Sequence, residues 1–185
     1  MFRLLLCLTA IAALATACSA PSPERALANL PSVSFPAPHR VAAGALQADD
    51  LPALQAAGVR EVINLRAASE TPGFDEASAV QGVGINYRHL PIRGPQDLTR
   101  GNVLAFDKLL GDAGDGLTVV HCASSNRVGA MIALRAALVD GASTDAALAE
   151  GRRWGLKSLE PQVRERLAAW SAGAGGAAPA ASSSR

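Results

Sequence analysis

The sequence predicts an α/β domain with a mainly parallel central sheet, helices on both faces and a cysteine-bearing loop between a strand and a helix N-terminus. Three observations carry that expectation. Short β-rich runs alternate with helical patterns along most of the chain, and the run Leu117-Thr-Val-Val-His121 is apolar enough for a buried strand. That run leads through a short polar loop straight into an apolar helix. With 185 residues, 49% of them hydrophobic, the chain holds one domain's worth of sequence and enough apolar surface for a sizeable core.

Taken in order, a short strand near Val41 precedes a helix capped by Asp49 or Asp50 and closed by Gly58, with Leu51 and Leu54 inward. Val59 to Leu65 is β-rich through Val62, Ile63 and Leu65. An acidic, Gly-Pro-marked turn follows, then a short helix from Glu76 to Gln81 and a strand from Ile85 to Ile92. Thr99 caps a helix that carries Val103, Phe106, Leu109 and Leu110 on one face. Gly111 to Gly116 turns the chain into strand Leu117–His121, and helix Arg127–Val139 begins after the loop. Two helices near Thr144–Trp154 and Leu159–Trp170 complete the pattern, the second with Val163, Leu167 and Trp170 at helical spacing after a Ser158 cap. There is no internal repeat.

The N-terminus has the layout of an export signal over residues 1–17: Arg3, an apolar stretch from Leu4 to Leu14, and the small-residue site Ala15-Thr16-Ala17. The stretch is too short for a permanent membrane span. Cleavage after Ala17 leaves Cys18 first, a lipobox-like arrangement with Ala15 where Leu is more usual, so lipid attachment at Cys18 is expected. An ordinary signal peptidase cutting at the same site would instead leave a soluble periplasmic protein. The expectation is an exported bacterial lipoprotein in the periplasm, with Ser19 favouring the outer membrane and the N-terminal lipid giving the membrane contact. Residues 18–38 contain Pro21, Pro23, Pro31, Pro36 and Pro38 and read as a Pro-rich linker from the lipid to a domain over 39–170. Residues 171–185 are small and aperiodic and read as a disordered tail. The chain has 17 basic and 16 acidic residues, and loss of Arg3 leaves 16 of each, a balance without a nucleic-acid footprint.

Of the three cysteines, Cys7 and Cys18 fall in the export segment, which leaves Cys122. In an oxidising compartment an odd cysteine is a partner in an intermolecular bridge or a reactive thiol. The bland alternative is a buried, inert side chain. His121 before it, Arg127 at loop distance and a helix start favour chemistry. The N–H groups of residues 123–127 and the positive helix end converge on Cys122, an environment that lowers a thiol pKa and attracts anions. Arg127 adds a fork of donors for an oxyanion.

At these residues the chain resembles the cysteine-dependent phosphatases, whose signature is His-Cys, five residues, then Arg and a Ser or Thr. Here only Ala123, Ser124, Ser125 and Asn126 intervene, and Val128 follows Arg127. The shorter loop is similar to that of the beta-lactamase-hydrolase-like (DUF442-type) bacterial phosphatases, relatives of the dual-specificity phosphatases, which usually have Gly at the place of Ser125. Ala57-Gly-Val-Arg-Glu-Val-Ile-Asn-Leu-Arg66, Tyr87-Arg-His-Leu-Pro91, Asp97-Leu-Thr99 and Ser158-Leu-Glu-Pro161 resemble further segments of that family.

The resemblance implies a phosphatase-like domain acting on a phosphorylated protein or small molecule, without cofactor or metal. Cys122 attacks phosphorus to form a phosphocysteine, while Arg127 and the amides of Ala123, Ser124, Ser125 and Asn126 hold the equatorial oxygens. Ser124 or Ser125 steadies the departing thiolate in place of the hydroxyl missing at Val128. Asp97 is the implied general acid, although Asp97-Leu-Thr reads equally as a helix start; Glu70, Asp75 and Glu76 are fallback acids. His121 is more a holder of loop carbonyls than a base. Arg66 and Arg93 extend the anion site or serve as surface ion-pair residues. Two other functions stay open. A Cys followed after four residues by Arg also resembles the rhodanese-type sulfurtransferases, whose tighter loop suits a persulfide on Cys122. The third reading is a non-catalytic anion-binding or interaction lipoprotein.

Overall fold

Side-chain alternation along three short strands sets the layers of the molecule. A computed structural model describes residues 22–175; the expected signal peptide, Cys18 and residues 176–185 lie outside the described residues. The strands are β1 (Ser34–Ala37), β2 (Arg40–Ala43), β3 (Glu61–Asn64), β4 (Asn86–His89) and β5 (Thr118–His121), joined in one sheet in the order β1-β2-β5-β3-β4. Strands β2, β5, β3 and β4 are parallel, and β1 adds an antiparallel edge to β2. The expected mainly parallel sheet is present, with β5 at its centre.

Successive side chains on a strand point to opposite faces. Val41, Val62 and Val119 therefore pack on one side, with Leu27 of α1 (Pro23–Leu27), Leu51 and Leu54 of α2 (Leu51–Ala56) and Val80 of α3 (Glu76–Gly82). Ala42, Ile63 and Val120 point the other way. They meet α4 (Arg100–Asp112), α5 (Asn126–Leu138), α6 (Thr144–Arg153) and α7 (Glu160–Gly175) through Phe106, Met131, Leu148 and Leu167. Thr99 caps α4 as expected, its hydroxyl accepting from Asn102 N–H at 3.2 Å. Asp75 caps α3 in the same way, from Ser78 N–H at 3.1 Å.

Helices α5 and α6 cross at two glycines. A Cβ on Gly129 would lie 2.5 Å from the Gly151 carbonyl oxygen, so only bare backbone fits at this crossing.

Both ends depart from expectation. The linker expected over 18–38 contains α1 and β1, and Leu27 and Leu30 are buried against α2 and the sheet. Pro23 is compatible with this because the first turn of a helix needs no proline N–H, and Pro36 because β1 is an edge strand. The tail expected from 171 begins as helix, since α7 runs on to Gly175. Ser158, the expected cap of the last helix, lies two residues before α7, and its hydroxyl accepts from Asn126 Nδ2 at 2.7 Å.

Candidate active site

Strand β5 delivers two adjacent residues to opposite faces. Cys122 continues the Val120 side and joins the core under α5 with 1% of its surface exposed. His121 turns toward α3, where its Nε2 lies 2.6 Å from Glu76 Oε1 with both side chains buried. That approach is close, yet its angles fall outside hydrogen-bond alignment, so the contact is an ion-pair or polar contact and not a well-formed hydrogen bond. Glu76 Oε2 also accepts from Asn64 Nδ2 at 3.1 Å, and the same Nδ2 reaches Tyr87 Oη at 2.9 Å. His121 thus belongs to a buried polar cluster under the sheet.

After Cys122 the loop is tied to the end of β2. Cys122 N–H donates to Ala43 O at 3.3 Å, Ala45 N–H donates to Ala123 O at 3.3 Å, and Ser124 bridges Gly44. Ser125, φ 62°, is left-handed and precedes α5. Apart from the bridge between Gly44 and Ser124, no acceptor engages the backbone N–H groups of residues 123 to 128 among the described residues. The first turn of α5 accounts for the last of these, because helix-start donors lack intrahelical partners. Open amides that run into a helix start offer a seat for an oxyanion.

Arg127 is fixed across that seat. Its Nη1 donates to Glu70 Oε1 at 2.7 Å and to Ile92 O at 2.8 Å, while Nη2 donates to Glu70 Oε2 at 2.6 Å. These bonds occupy the end-on edge of the guanidinium. On the side-on edge Nε–H engages no carboxylate or carbonyl among the described residues, and the Cys122 thiol lies within hydrogen-bonding reach of the guanidinium. The Glu70 bonds hold the Arg127 pKa above its ordinary value against desolvation, and the charge of Cys122 beside it adds to that rise. The same Arg127 bonds carry the Glu70 carboxyl down to about 2, opposed by burial and helped by Ala67 N–H at 2.8 Å. Arg66 closes the cluster: its Nη2 donates to Glu70 O, and its Nε stands 3.9 Å from Glu70 Oε2.

The other residues singled out in the sequence are placed as follows. Asp97 sits in the single turn Pro95–Asp97, its Oδ2 accepting from Arg93 N–H at 2.8 Å; it makes no recorded contact with Cys122 or Arg127. Arg93 is exposed at the same turn. The side chains of Ser125 and Asn126 turn into the protein. Ser125 Oγ donates to Ser32 O at 2.9 Å, which takes its hydroxyl away from the thiolate. Asn126 is held by the turn between α6 and α7. Ala123 and Ser124 present the exposed side of the loop. Glu70 as the partner of Arg127 has no signal in the sequence beyond its place in the turn after β3, and the Ile92 carbonyl has none. A cavity of about 370 Å³ lies among Asp107, Arg135, Asp140 and Trp154 between α4, α5 and α6; neither Cys122 nor Arg127 lines it, and Arg135 there pairs with Asp107 and Asp140.

A parallel sheet with a Cys loop running from its central strand into a helix is the architecture of the cysteine-dependent phosphatase folds, and comparison of the chain with solved structures bears this out. A DUF442 protein from Shewanella putrefaciens CN-32 superposes with a TM-score of 0.64 at 22% identity, covering 81% of this chain and 97% of that one. TpbA of Pseudomonas aeruginosa, solved as a Cys-to-Ser form in complex with phosphotyrosine, gives 0.59 at 18% identity, covering 80% and 86%. In sequence, 93 residues are 32% identical to the beta-lactamase hydrolase-like protein of Agrobacterium fabrum, 48% of this chain and 21% of that relative's length. The chain therefore spans about a fifth of that relative. No protein-family model matches the chain. The resemblance to the beta-lactamase-hydrolase-like, DUF442-type proteins holds in both fold and sequence.

Proposed function

We propose that the protein is a cysteine-dependent phosphoric monoester hydrolase. The observation that carries this reading is the Arg127 guanidinium, held end-on by Glu70 and by Ile92 with Cys122 beside it, at the start of a helix whose first amides are open. Fixed donors of this kind stabilise charge spread over phosphoryl oxygens without reorganising in the reaction.

In the proposed reaction the Cys122 thiolate forms an S–P bond as the bond from phosphorus to the leaving oxygen breaks. Asp97 gives its proton to that oxygen. Water then attacks the phosphocysteine, passes a proton to the Asp97 carboxylate, and releases phosphate with the thiolate restored. Asp97 is favoured among the four acids because the others are committed. Glu70 is an anion down to about pH 2 with both oxygens on Arg127, Asp75 caps α3, and Glu76 is buried with His121 and Asn64. Asp97 Oδ1 has no hydrogen-bond partner among the described residues, and its turn follows the carbonyl that holds Arg127. The phosphotyrosine bound by TpbA supports a phosphorylated substrate, protein or small molecule. Export and lipid attachment at Cys18 belong to the same reading and rest on Ala15-Thr16-Ala17-Cys18.

One observation favours a second reading. The four-residue loop makes a tight cradle, suited to a persulfide formed when thiosulfate gives its outer sulfur to Cys122 and leaves as sulfite.

Phosphate release from an aryl phosphate by the reduced full-length protein tests the proposal. Cys122→Ser is expected to abolish release, and Asp97→Asn to lower kcat by about 10²–10⁴, most on poor leaving groups. Folded wild type that releases no phosphate but carries a persulfide after thiosulfate would establish the second reading instead.

A further inference from the structure

Two of the four residues between Cys122 and Arg127 use their side chains as fasteners. Asn126 Oδ1 accepts from Lys157 N–H at 2.8 Å and from Leu159 N–H at 3.4 Å, and its Nδ2 donates to Ser158 Oγ at 2.7 Å. Both acceptor sites of the amide oxygen and one of its two N–H donors are thereby used. On the other flank, Ser125 Oγ donates to Ser32 O at 2.9 Å, and Pro31 O accepts from Gly44 N–H at 2.5 Å just where Gly44 meets Ser124. Gly155 completes the fit, since a Cβ there would lie 2.5 Å from Ser125 Cβ.

We infer that Ser125 and Asn126 are positioning residues, a two-sided clamp that joins the Cys loop to residues 31–32 and to the 155–159 turn, with neither side chain contacting substrate. The inference rests on the oxyanion-loop reading and deepens it. A loop this short has few residues with which to aim its amides. Anchoring its second half through side chains leaves the backbone N–H groups of residues 126 to 128 without a backbone acceptor. Asn126 is also the first residue of α5 and the neighbour of Arg127, so the clamp sets where that helix begins. Ser125 holds a left-handed backbone that is costly for a non-glycine residue, and its hydrogen bond to Ser32 O offsets that cost.

The test is tungstate binding by calorimetry to the full-length protein, in wild type, Asn126→Ala, Ser158→Ala and the double variant, with aryl phosphate turnover measured alongside. Measurement well below each variant's melting temperature separates aim from stability, because a purely structural role would lower melting and leave tungstate affinity unchanged. Loss of one such hydrogen bond corresponds to about fivefold, so Ser158→Ala is expected to bind tungstate some three- to tenfold more weakly, and Asn126→Ala, which loses three, more weakly still. The double variant is expected to be no worse than Asn126→Ala, as the two side chains act through one contact. Additive losses, or an Asn126→Ala variant that binds tungstate as wild type does, would overturn the clamp. Wild type that binds tungstate but releases no phosphate would remove the hydrolase reading while the variant cycle still decides the clamp; wild type that binds no tungstate would overturn both.

Discussion

Glu70 lies in the turn after β3, and its carboxylate decides how Arg127 is presented. Its pKa is lowered from 4.5 to about 2, so its contribution is fully present above pH 4.5 and is lost as pH falls through about 2. Part exposure screens the pair, which leaves a contribution of roughly 1–3 kcal/mol. Glu70→Gln should therefore lower stability by that amount at pH 7 and by nothing near pH 2, measured by urea unfolding across pH. It should also lower kcat/KM, because Arg127 is then free to leave the seat. At Ser125 two substitutions should separate. Ser125→Gly relieves the left-handed backbone while losing the hydrogen bond and should melt close to wild type; Ser125→Ala keeps the strain and should lose about 1 kcal/mol. Cys122, His121 and Arg127 were legible because they adjoin in sequence. The Glu70 contact joins residues 57 apart, and no local pattern encodes it.

Helices and strands were legible where their periodicity was long. The apolar face of α4, the buried run of β5 and the caps Thr99 and Asp75 follow from side-chain spacing and hydrogen-bonding chemistry. Element α1 has five residues and β1 four, too short for either period to register. The contact of Ser158 with Asn126 joins residues 32 apart, and no local pattern encodes it. At the α5–α6 crossing, Gly129→Ala would place a Cβ 2.7 Å from Leu156 Cα as well as against Gly151 O. It should cost at least about 1–3 kcal/mol by thermal unfolding. Displacing Leu156 also moves the turn that holds Asn126, so activity should fall with stability.

Across the whole molecule, residues 22–38 are part of the domain. Leu27 is fully buried against the α2 side of the sheet, and Leu27→Ala should cost about 2–5 kcal/mol in chemical denaturation. Prolines at 21, 23, 31, 36 and 38 read as a linker because proline composition reports local stiffness and not burial. The fold class came through for a different reason: alternating short strands and amphipathic helices admit few architectures. The central claim is that Cys122 bonds to phosphorus. Rapid acid quench of the reduced protein with an aryl phosphate, followed by peptide mass spectrometry, tests it most directly. A phosphoryl group on the peptide carrying Cys122, absent in Cys122→Ser, is the result this account predicts. Phosphate released with no adduct on Cys122, or with the adduct on another residue, would contradict it.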